Sequence, residues 1–275
     1  MPCTFPKQRP CTQSPLSDAQ WRGFFQSGFC IVKGLLLISE VAKIRDSLHK
    51  LLDQAKMLAA QQPPKFGGAV YHQGAKFVIR NNDQSQLERL DRVCGCGSAD
   101  NILLNASRHR KLLSAFHDLL LSDCFEQLIC QFHAKMPGDN VSFRPHRDIE
   151  FRLRTDPQWQ DINHWGSYVV AVMAIDRAES ENGGLYLAPG SHKHVQLKNL
   201  KPAHNHFNPE WGIHALCPTL EPGDTLFIHP YLVHWSNSNT SNHPRFSLLS
   251  GMSSLGANHM LYPGDCTNEI ISSRL

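Results

Sequence analysis

No run in the chain approaches the ~18 consecutive apolar residues of a membrane-spanning helix, so no membrane segment is expected. A block of lysines and arginines is also missing, and a formal charge of +3 is too small to argue for a nucleic-acid partner. The first ten residues, MPCTFPKQRP, hold prolines and charges where a secretory leader would carry an apolar core. Cysteines do not come in a number that pairs. There are nine, which points to reduced thiols in a cytosol-like compartment. Cys94 and Cys96, in CGCG, lack a second pair at zinc-finger spacing and read as loop thiols. The sequence shows no internal repeat and no low-complexity segment, and nothing in it fixes an oligomeric state.

What is present suits one large domain: 275 residues, 41% of them hydrophobic, enough for a substantial core. Residues 1–16, rich in Pro, Ser and Thr, read as a flexible arm, and residues 17–275 as a single domain. From Ser17, SDAQWRGFFQSG has a capping serine, an acidic first turn and a closing glycine, which predicts a helix. FCIVKGLL (29–36) is a short β-rich run. Over 39–60, Val41, Ile44, Leu48, Leu51 and Leu52 recur at helical spacing until Pro63 and Pro64. Residues 107–121 predict another helix, while 65–100 are mixed. After about residue 127 short β-prone runs alternate with Pro, Gly, Asn and Asp. The expected fold is mainly β with flanking helices: two sheets in a sandwich or barrel, the N-terminal helices packed on one of them.

One run, FRPHRDIEFRLR (143–154), carries a candidate metal pair. Read as a strand, it points His146 and Asp148 to one face, because side chains alternate. Two ligands of a facial triad can arise this way, and such a triad leaves positions open on an octahedral iron. The third ligand must come from elsewhere, and HPYLVHWSNS offers His229 and His234. Arg245 follows His234 by eleven residues, across the turn-rich SNSNTSNHP. A hairpin there would set Arg245 beside His234, where its guanidinium could grip a carboxylate by two parallel bonds. Ser236, two residues past His234, shares its face. His229 lies five before His234, so on one continuous strand it would point to the opposite side.

In this order and spacing the residues resemble the phytanoyl-CoA dioxygenase family of Fe(II)/2-oxoglutarate-dependent oxygenases. Further segments are similar to that family: NGGLYLAPGSHK (182–193), LEPGDTLFIH, KMPGD (135–139), and LSDAQWRGFFQSGFCIVKGLL near the start. The likeness spans roughly residues 16–252. It implies a double-stranded β-helix (jelly-roll, cupin-like) core and a metal site of His146, Asp148 and His234. It also implies Fe(II), O2 and the co-substrate 2-oxoglutarate, chelated through its keto and C1 carboxylate oxygens. Arg245 and Ser236 would hold the far carboxylate, with Lys135 and Gln131 as further co-substrate contacts. The implied reaction is hydroxylation of an unactivated C–H bond of a small-molecule substrate, with 2-oxoglutarate decarboxylated to succinate. The chain departs from the family in PHRD, where Arg147 takes a glutamine's place and is expected to face away from iron. It also departs in HWGSYVV, where Trp165 or Tyr168 would stand in for a site-lining aromatic.

The remaining arginines admit two readings. Arg144, Arg152 and Arg154 share parity with His146. They form either a solvated, bulged strand end paired with Glu150 and Asp156, or a basic pocket mouth for an anionic substrate. His192, His194, His204 and His206 read as loop residues. Rival functions are desaturation, epimerisation or cyclisation at the same iron, a non-catalytic jelly-roll binding protein, and hydrolysis at a zinc site. The zinc reading leaves Arg245 unexplained. The final Ser-Arg-Leu is similar to the peroxisomal address Ser-Lys-Leu, so the expected location is cytoplasmic, or peroxisomal in a eukaryote.

Overall fold

Ser17 starts the first helix as its sequence predicts. In the computed structural model, which describes residues 14–193, 195, 200, 203 and 205–272, α1 (Asp18–Ser27) opens on a capping box between Ser17 and Gln20. Gly28 ends it in the left-handed region at φ 91°. Most of the expected arm, the terminal tripeptide, His194 and His204 lie outside the described residues. Leu16, the last residue of that arm, is buried. α2 (Ile38–Ala60) buries Val41, Ile44, Leu48, Leu51 and Leu52, as its periodicity predicts.

Residues 65–100 resolve the mixed stretch. β2 (Gly67–His72) and β3 (Ala75–Asn81) form a hairpin whose turn residues, Gln73 and Gly74, both have positive φ, 48° and 70°. β4 (Leu87–Cys94) pairs with β3. The CGCG segment is not a loop: Cys94 closes β4, and Cys96 opens the short helix α3 (Cys96–Ala99). The described cysteines are free thiols. The helix expected over 107–121 is shorter, α5 (Arg110–Leu120). The chain breaks after α4 (Asn101–Ser107), and the His109 side chain caps the restart by accepting from Lys111 N–H.

Every strand pairing described in the larger sheet is antiparallel. With β1 (Phe29–Val32), β5 (Cys124–Lys135), β7 (Tyr168–Ala174), β9 (Thr225–Ile228) and β11 (Arg245–Ser254), its order is β1-β9-β7-β11-β5-β4-β3-β2. β12 (Glu269–Ser272) also pairs with β5. The smaller sheet is β6 (Phe143–His146), β10 (His234–Ser236) and β8 (Leu185–Leu187), in the order β6-β10-β8.

Alternation along β11 divides the protein into two cores. Phe246 and Leu248 join Phe116, Leu48 and Phe227 in the core under the helices. Arg245, Ser247 and Leu249 point the other way, toward the core shared by the two sheets, which includes Val170, Val172, Leu187 and Leu226. β7, YVVAVMA, is buried along its whole length, as a strand covered on both faces must be. This is the expected jelly roll, with helices on one sheet. Among the described residues no helix is long and apolar enough to cross a membrane.

Two strands read from the sequence do not hold. DTLFIHPYLVHWS is divided: β9 ends at Ile228, and residues 229–233 turn the chain into the other sheet at β10. Pro230 has no N–H with which to continue a ladder. The 143–154 run is a strand only to His146, after which Asp148–Thr155 form helix α6. Its charges explain the switch. Asp148 and Glu150 lie in the first turn and Arg152 and Arg154 in the last, each sign at the helix end whose dipole it complements.

Candidate active site

The triad forms where the strand becomes a helix. β6 and β10 pair with His234 opposite His146, and the two imidazole rings lie 4.3 Å apart between centroids. Asp148, as the first residue of α6, turns back toward both. Its Oδ1 is 3.8 Å from His146 Nε2 and 3.7 Å from His234 Nε2. One ligand atom from each of the three lies within 4.8 Å of the others. Ligand distances of about 2.0–2.2 Å would bring cis donor atoms to about 3 Å from one another, so small side-chain rotations would gather these three on one ion.

The tautomers follow from the backbone. His146 Nδ1 donates to the Arg144 carbonyl at 2.7 Å, and His234 Nδ1 donates to the Leu232 carbonyl at 3.0 Å. A carbonyl can only accept, so both Nδ1 atoms carry the proton. Each Nε2 lone pair is left for a metal. Two imidazoles and one carboxylate on one side of an ion suit a hard or borderline divalent metal such as iron, with positions left open.

Beside the triad lies a pocket of buried cations. Arg245 opens β11 directly opposite Lys135 on β5. Lys135 is fully buried and donates to Ser236 Oγ at 2.7 Å and to the Asn237 carbonyl. Arg245 Nη1 donates to Ser247 Oγ at 2.9 Å, while its buried Nε has no hydrogen-bond partner among the described residues. Burial, and then the Arg245 charge, push the Lys135 ammonium down to about 7; burial alone leads in lowering Arg245 to about 10. Two desolvated cations side by side favour an incoming carboxylate. Gly183 permits this packing, since a Cβ there would stand 2.6 Å from Lys135 Cδ. The sequence therefore brings His146, Asp148, His234, Ser236, Arg245 and Lys135 into one site.

Gln131 also lines the interior, hydrogen-bonded to His133 on the same face of β5. His133 escaped the sequence reading. It stacks on Phe143 at 5.1 Å, and burial, then Arg92, hold its imidazole well below the usual range. Arg92 and His133 could have been found from strand parity, had β4 been recognised.

The expected substrate residues divide. Arg144 is exposed and contributes its carbonyl to His146. Trp165 packs edge-on against Phe25, in the core under the helices and away from the metal. Tyr168 lies in the inner core, its hydroxyl buried and without a hydrogen-bond partner among the described residues. Arg152 is buried on α6, its guanidinium 5.1 Å from the Tyr168 ring centroid and 4.3 Å from that of Tyr262. Arg154 is exposed over Phe151. Arg147 does not point outward to solvent. It is buried, 3.3 Å from Glu150 and over the Trp211 ring. His192 and His229 are core histidines. His192 Nε2 bonds the Phe25 carbonyl, and His229 Nδ1 accepts from Tyr231 N–H.

A facial His-Asp-His set inside a jelly roll, with a cationic pocket alongside, defines a class of mononuclear metal proteins. The chain belongs to the phytanoyl-CoA dioxygenase family, whose model matches residues 24–247. It is 22% identical over 259 residues to the bovine peroxisomal phytanoyl-CoA dioxygenase, covering 82% of this chain but 65% of the bovine one. Among solved structures, EctD from S. alaskensis with 2-oxoglutarate and 5-hydroxyectoine superposes with a TM-score of 0.70 at 16% identity, covering 98% of this chain and 90% of that one. The non-heme, alpha-ketoglutarate-dependent carbocyclase SnoK of nogalamycin biosynthesis gives 0.65 at 17% identity, covering 91% and 88%.

Proposed function

We propose that the protein is an Fe(II)/2-oxoglutarate-dependent dioxygenase that hydroxylates an unactivated C–H bond of a small molecule. The observation that carries this reading is the pairing of a three-ligand metal site with two buried cations, Arg245 and Lys135, neither of which has an ion-pair partner among the described residues. Zinc-dependent hydrolysis needs the first feature and gives no reason for the second. Iron, 2-oxoglutarate and dioxygen together supply the oxidising power: C–H becomes C–OH, and 2-oxoglutarate leaves as succinate and carbon dioxide.

The chain's own residues supply position and charge. His146 and His234 present Nε2 because their Nδ1 protons are committed to carbonyls. Asp148 would give the metal a carboxylate ligand, where a halogenase would take chloride. Arg245, Ser236 and Lys135 hold the far carboxylate of 2-oxoglutarate, with Lys135 charged when that anion is present. Gln131 lies four residues before Lys135 on β5, so on the same face of that strand.

The test is succinate and carbon dioxide release from 2-oxoglutarate with Fe(II), expected in the parent protein and abolished in His146→Ala and Asp148→Ala. Metal-loaded protein that neither binds 2-oxoglutarate by calorimetry nor turns over a broad substrate panel would overturn the reading. A product heavier by one oxygen atom supports hydroxylation. A product two hydrogens lighter, or an isomer, replaces it with desaturation, cyclisation or epimerisation.

A further inference from the structure

Arg152 is nine-tenths buried, with 9% of its surface exposed, yet among the described residues it has no acidic partner. The three acids nearest in sequence are committed elsewhere. Asp148 turns to the two histidines, its Oδ1 3.8 Å from His146 Nε2 and 3.7 Å from His234 Nε2. Glu150 pairs with Arg147 and accepts from Ala203 N–H at 2.9 Å. Asp156 accepts from the backbone N–H groups of Gln158 and His259, at 3.0 and 2.7 Å. The Arg152 atoms Nε and Nη1 are buried with no hydrogen-bond partner among the described residues. What holds the guanidinium is aromatic: the ring centroids of Tyr262 and Tyr168 lie 4.3 and 5.1 Å from it. Ring contacts use the flat face of the cation and leave its N–H donors unspent.

The location gives the orphan a meaning. Arg152 follows Asp148 by four residues on α6, so both side chains lie on one face of the helix, about one turn or 5.4 Å apart along its axis. The Tyr168 hydroxyl, in the same inner core, is likewise buried and unpartnered. The Arg152 guanidinium lies 5.1 Å from the Tyr168 ring centroid, so the two unpartnered polar groups share one neighbourhood, a helical turn from Asp148. Arg245 and Lys135 lie at the other end of β7 and β11. Tyr168 pairs with Ser253 at one end of this ladder and Ala174 with Ser247, two residues from Arg245, at the other.

We propose that the substrate is a small organic acid, a carboxylate or phosphate monoester, whose anionic group is held by the Arg152 guanidinium with the Tyr168 hydroxyl donating beside it. This rests on the oxygenase reading above and adds a substrate class to it. With only one helical turn between anchor and metal ligand, the anion and the reacting carbon sit a few bonds apart in the same molecule. A long thioester whose phosphates lie far from its reacting carbon does not meet that condition.

The experiment is anaerobic calorimetry on protein loaded with Fe(II) and 2-oxoglutarate. The titrants are matched sets: small carboxylic acids, their methyl esters, alkyl phosphate monoesters, and a coenzyme A thioester of one of the acids. The tightest ligand is expected to be an acid or a phosphate, with its neutral ester at least about 30-fold weaker. Arg152→Gln removes that gap, Arg152→Lys restores part of it, and Tyr168→Phe weakens the acid by about fivefold. If Arg152→Gln does not fold, the acid–ester gap in the parent protein and the Tyr168→Phe effect decide. Equal binding of acid and ester, preference for the thioester, an acid affinity untouched by Arg152→Gln, or no anion bound by protein that binds 2-oxoglutarate would each overturn the proposal. Failure to bind 2-oxoglutarate itself sinks the oxygenase reading on which it rests. The carboxylate and phosphate arms tell the two anions apart.

Discussion

Arg245 and Arg152 are both buried guanidiniums in one barrel, and they are held in opposite ways. Arg245 sits on a strand whose register with β5 fixes it opposite Lys135, with Ser247 and Ser236 as neighbouring hydroxyls. Its surroundings are donors set by backbone pairing, so the shape of what binds there is dictated by the sheet. Arg152 sits on a helix against two rings and, among the described residues, makes no hydrogen bond through Nε or Nη1. Its surroundings are soft surfaces that set position without choosing a partner. The strand-held end suits a ligand that never changes. The ring-held end suits one that differs between relatives.

Replacing each arginine tests that contrast. The largest effect is expected from Arg245→Gln. 2-Oxoglutarate affinity should fall by more than about 100-fold, since a buried charged contact is lost. The ligand-free protein should melt at the same temperature or higher, because an unpaired buried charge has been removed. Calorimetry and thermal melting read the two quantities. Retained affinity would erase the distinction between the two ends.

The pH dependence of co-substrate binding comes next. Lys135 titrates at about 7 without ligand, so above that pH the carboxylate must draw in a proton. Affinity for 2-oxoglutarate should be flat below about pH 7 and fall by up to about tenfold per unit above it. Calorimetry in buffers of different ionisation enthalpy should show the proton uptake. Without ligand the sign reverses for stability. The folded value lies below the ordinary 10.5, so the unfolded chain binds more protons between the two. Stability is then lost as pH falls from about 10.5 to about 7, and is level below. The smallest effect is expected from Ser236→Ala, about fivefold in 2-oxoglutarate affinity for one hydroxyl, since Lys135 keeps the Asn237 carbonyl as acceptor.

Much of the strand-held end was legible in the sequence. His234, Ser236 and Arg245 keep a spacing that one hairpin explains, and Lys135 lies in a recognisable turn segment. The helix-held end was read partly through a coincidence. A strand period of two and a helix period of 3.6 both place residue 152 on the face of residue 148, so Arg152 came out on the right side although 148–155 is helical. Arg154 exposes the difference, for it shares the strand parity and is exposed. Asp148, Glu150, Arg152 and Arg154 already spelled a helix by their order of charge. Tyr262 had no signal at all, since it arrives from more than a hundred residues downstream of Arg152. The β2–β3 hairpin was missed because Gln73–Gly74 is not one of the common Asn-Gly or Asp-Gly turns, although the backbone adopts the same positive φ pair.

The same side chain that completes the triad begins α6, and this has a consequence for how such a protein diversifies. Residues 149–155 form a short cassette anchored at its first neighbour. Each residue inserted or deleted after Asp148 rotates everything beyond it by about 100° around the helix axis. A change in the cassette would therefore swing the anchor to a new bearing while the three ligands stay where they are. Selection, or a designer, can thus redirect the oxidised carbon by editing seven residues that never touch the metal.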